Sequence, residues 1–250
     1  MNTPNLHALC IGIGAYQHLN PLSCPAADAT DVADLLTSGL IPTHIDLLTD
    51  SMATKPAVLS HLLKLAQRAS ADDTALVYLS GHGGRLSQRP TAKAYFCTVE
   101  ARKQALAQTC ISGEELTAAL HSIQAGRLIV LIDSCYSGGM GEPRQGVSSH
   151  MNPLNTKDIA ILVAGRGRAI LAASRPDQVA WELYGMRNGL FTHYLLQGLK
   201  QEVVREDGTV WVSELFGYVS RELRRHKIQT PYQKAVGEDF VVAVHPAVRA

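Results

Sequence analysis

Four short, continuously apolar runs constrain this chain more than any other feature: His7–Ile13 ("HALCIGI"), Ala75–Leu79 ("ALVYL"), Leu128–Ile132 ("LIVLI") and Ala169–Ala173 ("AILAA"). Runs this short, without polar alternation, are strands buried on both faces. Helical patterns separate them. Ala29, Val32, Ala33 and Leu36 recur at helical spacing between Ala26 and Leu36. Thr54 caps a helix running to about Arg68, with Pro56 tolerated in its first turn. Ser112 and Glu115 form a capping box for a helix through Ile123. Further helices are expected near Phe191–Leu199 and Ser213–Arg225, a strand at Ile45–Leu48, and a last strand at Phe240–Val244. Strands alternating with helices imply βαβ units and a mainly parallel sheet covered on both faces. Such sheets bind ligands beyond the carboxyl ends of their strands.

The 250 residues suit one α/β domain, or one core with a small appendage. A net charge of +1 creates no field to attract nucleic acid or an anionic membrane, so neither is expected as a partner. No run of about 18 apolar residues is present to span a bilayer. The short, uncharged segment Met1–His7 lacks the make-up of a secretory signal, so the expected location is the cytoplasm. The five cysteines, Cys10, Cys24, Cys97, Cys110 and Cys135, are odd in number, irregularly spaced and free of CxxC pairs. That disfavours a disulfide framework and a structural zinc site. Each is read first as a small buried hydrophobe, and only the surroundings of Cys135 argue otherwise. The stretch from Gly138 to about Lys157, rich in Gly, Ser, Pro and Asn, reads as a linker.

Two of the buried strands end in unusual tails. One runs into Ser80-Gly81-His82-Gly83-Gly84, the other into Asp133-Ser134-Cys135-Tyr136-Ser137-Gly138-Gly139. Both tails should emerge at the same edge of a parallel sheet. An imidazole within reach of a thiol takes its proton, and the thiolate attacks a carbonyl carbon. The imidazolium then protonates the leaving amine. Backbone N–H groups near Gly83 and Cys135 would stabilise the oxyanion. A lone Cys after a strand is ordinarily packing and a lone His in a loop is ordinarily solvated. The two together, each ending a core strand among glycines, weaken that bland alternative. One His and one Cys are too few ligands for zinc.

At these residues the sequence resembles the caspase-like cysteine peptidases, in particular the metacaspases and their bacterial relatives, the orthocaspases. The matching pieces are "ALCIGIGAY", "AADA", "LVYLSGHGG", "LIVLIDSCYSGG" and "NGLFTHYLLQGL". The resemblance implies His82 and Cys135 as a catalytic dyad, with the backbone amides of Gly83 and Cys135 as oxyanion donors. It implies a three-layer α/β fold with a mainly parallel sheet of about six strands and helices on both faces. A large-subunit-like part (1–140), a linker (141–168) and a small-subunit-like part (169–250) would make a single domain.

Strand alternation gives Ser80 and His82 a common direction, and likewise Asp133 and Cys135. Asp28 opens the helix after the first strand, near the same edge. Two carboxylates lining one pocket want a cation, and bidentate contact favours Arg. The plainer alternatives are a helix N-terminal charge for Asp28 and a strand-end cap for Asp133. The resemblance carries a basic-residue pocket onto Asp28, Ser80 and Asp133. Asp-Ser-Cys stands here where animal caspases carry Gln-Ala-Cys, and the first basic residue of the chain is Lys55. Cleavage is therefore expected after Arg or Lys rather than Asp. An extended peptide would add to an edge at Ala172-Ala173-Ser174, with Trp181 and Tyr184 as a wall; for Trp181 packing is the stronger alternative.

An enzyme of this specificity would find Arg144, Lys157, Arg166 and Arg168 in or just after its own linker. Many metacaspases need calcium, which wants six to eight oxygen ligands. Between Arg85 and Thr109 the only acid is Glu100, and Glu142 stands alone, so no metal and no cofactor is expected. Protein or peptide substrates are implied, together with a separate activating protein. A role in bacterial stress, cell death or phage defence follows by analogy alone. Two rivals stand beside this: a catalytically silent caspase-like scaffold, and a nucleotide-binding Rossmann-type domain. The latter is suggested by "IGIGAY", but Gln17 occupies the place of its third glycine.

Overall fold

The computed structural model describes residues 5–85, 93–135, 154, 156–162, 167–173, 186–226 and 231–246, with the backbone alone for Arg85, Cys135 and Thr156. The strands are β1 (Leu6–Gly12), β2 (Thr43–Thr49), β3 (Thr74–Arg85), β4 (Ala94–Cys97), β5 (Cys110–Ser112), β6 (Arg127–Cys135), β7 (Arg168–Ala172), β8 (Thr209–Trp211), β9 (Tyr232–Val236) and β10 (Val241–Val244). The helices are α1 (Pro25–Thr37), α2 (Lys55–Arg68), α3 (Leu106–Thr109), α4 (Gly113–His121), α5 (Thr156–Leu162), α6 (Leu190–Gln197) and α7 (Val212–Arg225).

The main path of the sheet runs β2-β1-β3-β6-β7-β9. Its first five strands are mutually parallel, and β9 closes the edge antiparallel to β7. The chain thus has the mainly parallel α/β sheet, covered by helices on both faces, that the resemblance implies. Three features depart from the pattern read along the sequence. Strand β3 continues past Leu79 through the glycine-rich tail, where it recruits the short strands β4 and β5. The edge is β9, whose polar residues Gln233 and Lys234 are exposed and give no apolar signal. The expected last strand exists, but β10 pairs with β8 in a separate two-stranded sheet.

Alternation sorts the side chains of each central strand onto two cores. Leu9, Ile11, Val77, Leu79, Val130 and Ile132 pack on the side of α2, α4 and α5. Ala8, Cys10, Leu76, Tyr78, Ile129 and Leu131 pack on the side of α1, α6 and α7. Each fully buried Leu or Ile contributes about 1.5–3 kcal/mol by transfer from water. The helix starts follow their caps: Thr54 Oγ1 accepts from Ala57 N at 3.3 Å. Ser112 and Glu115 exchange both bonds of the capping box, at 3.1 and 2.8 Å.

At the opposite edge from the tails, Asp73 locks β1 to β3. Its Oδ1 accepts from Asn5 N and Nδ2, both at 3.1 Å. Its Oδ2 accepts from Ser70 N at 2.9 Å and Ser70 Oγ at 2.7 Å. Burial alone would raise this carboxyl; the Ser70 and Asn5 bonds outweigh it and hold its pKa at about 2. Within the expected linker (141–168), residues 141–153, 155 and 163–166 fall outside the described residues. Its later part contains α5, whose Ile159 and Leu162 enter the core.

Candidate active site

The two tails lie side by side at the centre of the sheet. β3 and β6 pair in parallel, with Ser80 opposite Asp133, Gly81 opposite Ser134 and His82 opposite Cys135. Neighbouring strands run about 4.8 Å apart. The register therefore brings the backbones of His82 and Cys135 together, far apart though they are in sequence.

His82 is buried, 3% exposed, and held from three directions. Its backbone N–H donates to Tyr16 Oη at 2.7 Å. The Tyr16 and His82 rings approach with centroids 4.7 Å apart. Its Nε2 lies 2.9 Å from the Asn20 carbonyl oxygen. A carbonyl only accepts, so Nε2 carries the hydrogen and Nδ1 is the basic nitrogen of the neutral ring. Gly81 makes the approach of Tyr16 feasible. Its φ of +150° suits glycine, and a Cβ there would stand 2.7 Å from the Tyr16 oxygen. Gly83, next along the tail, is paired with Phe96 of β4.

Two carboxylates converge beside this pair. Ser80 and Asp133 share the strand parity of Tyr78 and Leu131, which faces α1 and α6. Asp28, in the first turn of α1, meets them there. Asp28 is 1% exposed and Asp133 2%. Asp28 Oδ2 accepts from Ser80 Oγ at 3.2 Å, and Oδ1 from Gly189 N at 3.0 Å. Asp133 Oδ2 accepts from Thr192 Oγ1 at 2.7 Å. With its proton committed, Thr192 Oγ1 accepts in turn from Tyr78 Oη at 2.5 Å. Burial, and then the Asp133 charge, push the Asp28 carboxyl up to about 8, against the bonds from Gly189, Asn188 and Ser80. Two acidic groups in so little water favour either a shared proton or an incoming cation.

The segment before α6 closes this space. Arg187 grips Asp31 with Nε at 2.8 Å and Nη2 at 2.7 Å, and Asn188 Nδ2 adds a bond at 2.9 Å. Asp28 and Asp31 sit one turn apart on α1, so one helix face holds both the carboxylate and the loop against it.

The remaining sequence-derived positions lie elsewhere or outside the described residues. Ser174, Trp181, Tyr184, Arg144 and Arg166 are outside them. Ala172 is paired on both sides, with Ile132 and Tyr232, so an added strand can begin only beyond it. Lys157 is exposed in the first turn of α5. Arg168 lies within β7, its Nη2 donating to the Ile123 carbonyl at 3.0 Å. Cleavage there requires the strand to leave the sheet. Among the described residues no three His, Cys, Asp or Glu side chains converge as a metal site requires. No helix among them is long and apolar enough to cross a membrane.

Sequence reasoning passed over Tyr16, Asn20, Tyr78, Gly189 and Thr192. Asn20 acts through its backbone carbonyl, which no side chain signals. Gly189 and Thr192 belong to the segment "NGLFT", whose chemistry shows only once α6 is packed beside β6.

Comparisons with known proteins agree with this architecture. The family model described as "Caspase domain" matches residues 5–240. No curated relative matches the chain in sequence. A crystal structure of a Geobacter sulfurreducens protein superposes with a TM-score of 0.67 at 20% identity, covering 94% of each chain. The structure of pro-sf-caspase-1 superposes with a TM-score of 0.60 at 13% identity, covering 94% of this chain and 93% of its own.

Proposed function

The chain belongs to the caspase-domain family, whose members suggest a cysteine peptidase, and from that premise we propose an endopeptidase that cuts after Arg or Lys with Cys135 as nucleophile and His82 as base. The observation that carries the proposal is the pairing of His82 with Cys135 across adjacent parallel strands, beside two buried carboxylates. His82 Nδ1 takes the thiol proton, while the Asn20 carbonyl fixes the tautomer through Nε2. The thiolate attacks the scissile carbonyl. The N–H groups of Gly83 and Cys135 receive the oxyanion. The imidazolium protonates the leaving amine, and water then hydrolyses the acyl-enzyme with His82 again as base.

The specificity follows from Asp28, Ser80 and Asp133. A guanidinium between Asp28 and Asp133 replaces carboxylate repulsion with charge-assisted hydrogen bonds. Self-processing at Arg144, Lys157, Arg166 or Arg168 is part of the same proposal; the strand position of Arg168 argues against cleavage there.

The test is a set of fluorogenic peptides differing only before the scissile bond. Turnover with Arg or Lys, little with Asp, and none by Cys135→Ala is the expected result. Faster turnover of the Asp peptide overturns the specificity. Undiminished turnover by Cys135→Ala overturns the nucleophile.

A further inference from the structure

The β4–β5 hairpin holds two cysteines that the proposed chemistry does not use. Cys97 and Cys110 are Cα partners in its antiparallel ladder. Directly opposed residues in such a ladder project to the same face, with Cα atoms about 4.5 or 5.5 Å apart. Both separations fall within the range of a disulfide. Both cysteines are free and fully buried.

The two sulfurs sit in unequal surroundings. Each thiol bears on the other's proton, in the direction that favours the thiolate at Cys110 and the protonated thiol at Cys97. Burial opposes the thiolate at both. Around Cys110, the Thr98 N–H and the charge of Lys55 oppose that burial. Lys55 is fixed near by its bonds to the Ala107 carbonyl at 3.1 Å and to Glu115 at 2.9 Å. Cys97 has no such donors among the influences on it, and burial keeps it protonated. One thiol is thus prepared to attack and its neighbour to resolve.

We propose that Cys97 and Cys110 form an oxidisable dithiol that closes to a disulfide when the protein meets a peroxide. The Cys110 thiolate attacks one peroxide oxygen; an S–O bond forms as the O–O bond breaks, and the departing hydroxide takes up a proton as water. The Cys97 sulfur, releasing its proton, then attacks the sulfenic sulfur; the S–S bond forms, the S–O bond breaks and a second water leaves. Two thiols lose two electrons and two protons, and hydrogen peroxide becomes two waters. A thiol reductant reverses the change. Access is provided by β5, a three-residue strand that pairs with β4 alone among the described strands; short edge strands open locally at low cost. The pair also adjoins the candidate base. The Cys97 carbonyl accepts from Tyr16 Oη at 3.4 Å, and that oxygen accepts from His82 N at 2.7 Å.

The full chain carrying Cys135→Ala removes the other candidate reactive thiol. It is treated with hydrogen peroxide while folded, alkylated, and digested with trypsin. Cleavage after Lys93, Arg102, Lys103 and Arg127 places Cys97 and Cys110 on separate peptides. The expected result is a loss of two hydrogens and a Cys97–Cys110 linked peptide that dithiothreitol abolishes. In a further Cys97→Ser variant, dimedone labels Cys110; in Cys110→Ser it leaves Cys97 unlabelled. Persistence of both free thiols after treatment of the folded parent overturns the proposal, as does a link formed only in denaturant. Dimedone labelling of Cys97 overturns the assigned roles. The mass readout requires no peptidase activity, so its failure is separate from any failure of the proposed function.

Discussion

Asp28 and Asp133 come from different layers of the fold, yet each brings a carboxylate oxygen to the same point beside Gly189. A Cβ built on Gly189 would stand 3.0 Å from Asp133 Oδ2 and 3.3 Å from Asp28 Oδ2. The space between the acids is therefore what the missing side chain leaves open. The helix α1 supplies one acid and the sheet supplies the other. The residue whose lack of a side chain leaves room beside them belongs to neither.

Gly189→Ala should close the proposed pocket without unfolding the protein. The backbone at Gly189 has φ −58° and ψ 153°, which alanine adopts freely. The added methyl would occupy the path proposed for a cationic side chain. The expected outcome is a slightly lowered melting temperature, because both carboxylates must give way a little, with kcat/KM for an Arg peptide reduced about tenfold to a hundredfold. Steady-state kinetics beside thermal unfolding checks both halves. Full activity with the Arg peptide would place the cation elsewhere.

Asp28 makes that activity pH-dependent. Its carboxyl is pushed up to about 8, first by burial and then by Asp133. At neutral pH Asp28 therefore holds a proton, which a guanidinium bound at the proposed site would expel. For an Arg peptide, kcat/KM should rise as pH approaches about 8, and Asp28→Asn should remove that limb. Stability runs the other way. Between the ordinary carboxylate value of 3.8 and about 8 the folded protein retains a proton that the unfolded chain has lost. Folding therefore weakens as pH rises through that window. The melting temperature of the native chain should fall between pH 6 and pH 9 more steeply than that of Asp28→Asn. Parallel slopes would mean that Asp28 titrates normally.

Much of this was legible in the sequence because it rests on short-range rules. Continuous apolar runs marked β1, β3, β6 and β7. Capping chemistry at Thr54 and Ser112 marked two helix starts. Glycines beside His82 and Cys135 marked both tails. Less legible were the elements whose identity depends on a partner. β4 has four residues and β5 three; β4 pairs with the tail of β3, and β5 pairs with β4. β9 is polar and exposed, and only the free edge of β7 makes it a strand. The same limit applied within the site. Asp28, Ser80 and Asp133 could be reasoned from alternation and sheet edges. Thr192, Tyr78 and the Asn20 carbonyl matter only through contacts made across layers. Cys97 and Cys110 each read as an isolated hydrophobe until the hairpin register set them opposite one another.

The Arg187–Asp31 pair should act on the site through position rather than contact with the scissile bond. The Arg187 side chain is 69% exposed, so its contribution to stability is small. Its geometry nevertheless fixes the segment whose Gly189 N–H holds Asp28. Arg187→Ala releases that segment, adding mobility at the mouth of the proposed pocket. The expected outcome is a melting temperature within about 2 °C of the native chain and a several-fold higher KM for Arg peptides, with kcat little changed. Asp31→Asn should match or exceed it, since Asp31 accepts the Asn188 bond as well as both Arg187 bonds. Because the two residues act as one clamp, Arg187→Ala combined with Asp31→Asn should cost little more than Asp31→Asn alone. Raising the salt concentration should move the native KM towards that of the variants, because the pair is open to solvent screening. Fully additive losses in the double variant would show that the residues serve the site separately, and the clamp would no longer account for the placement of Gly189.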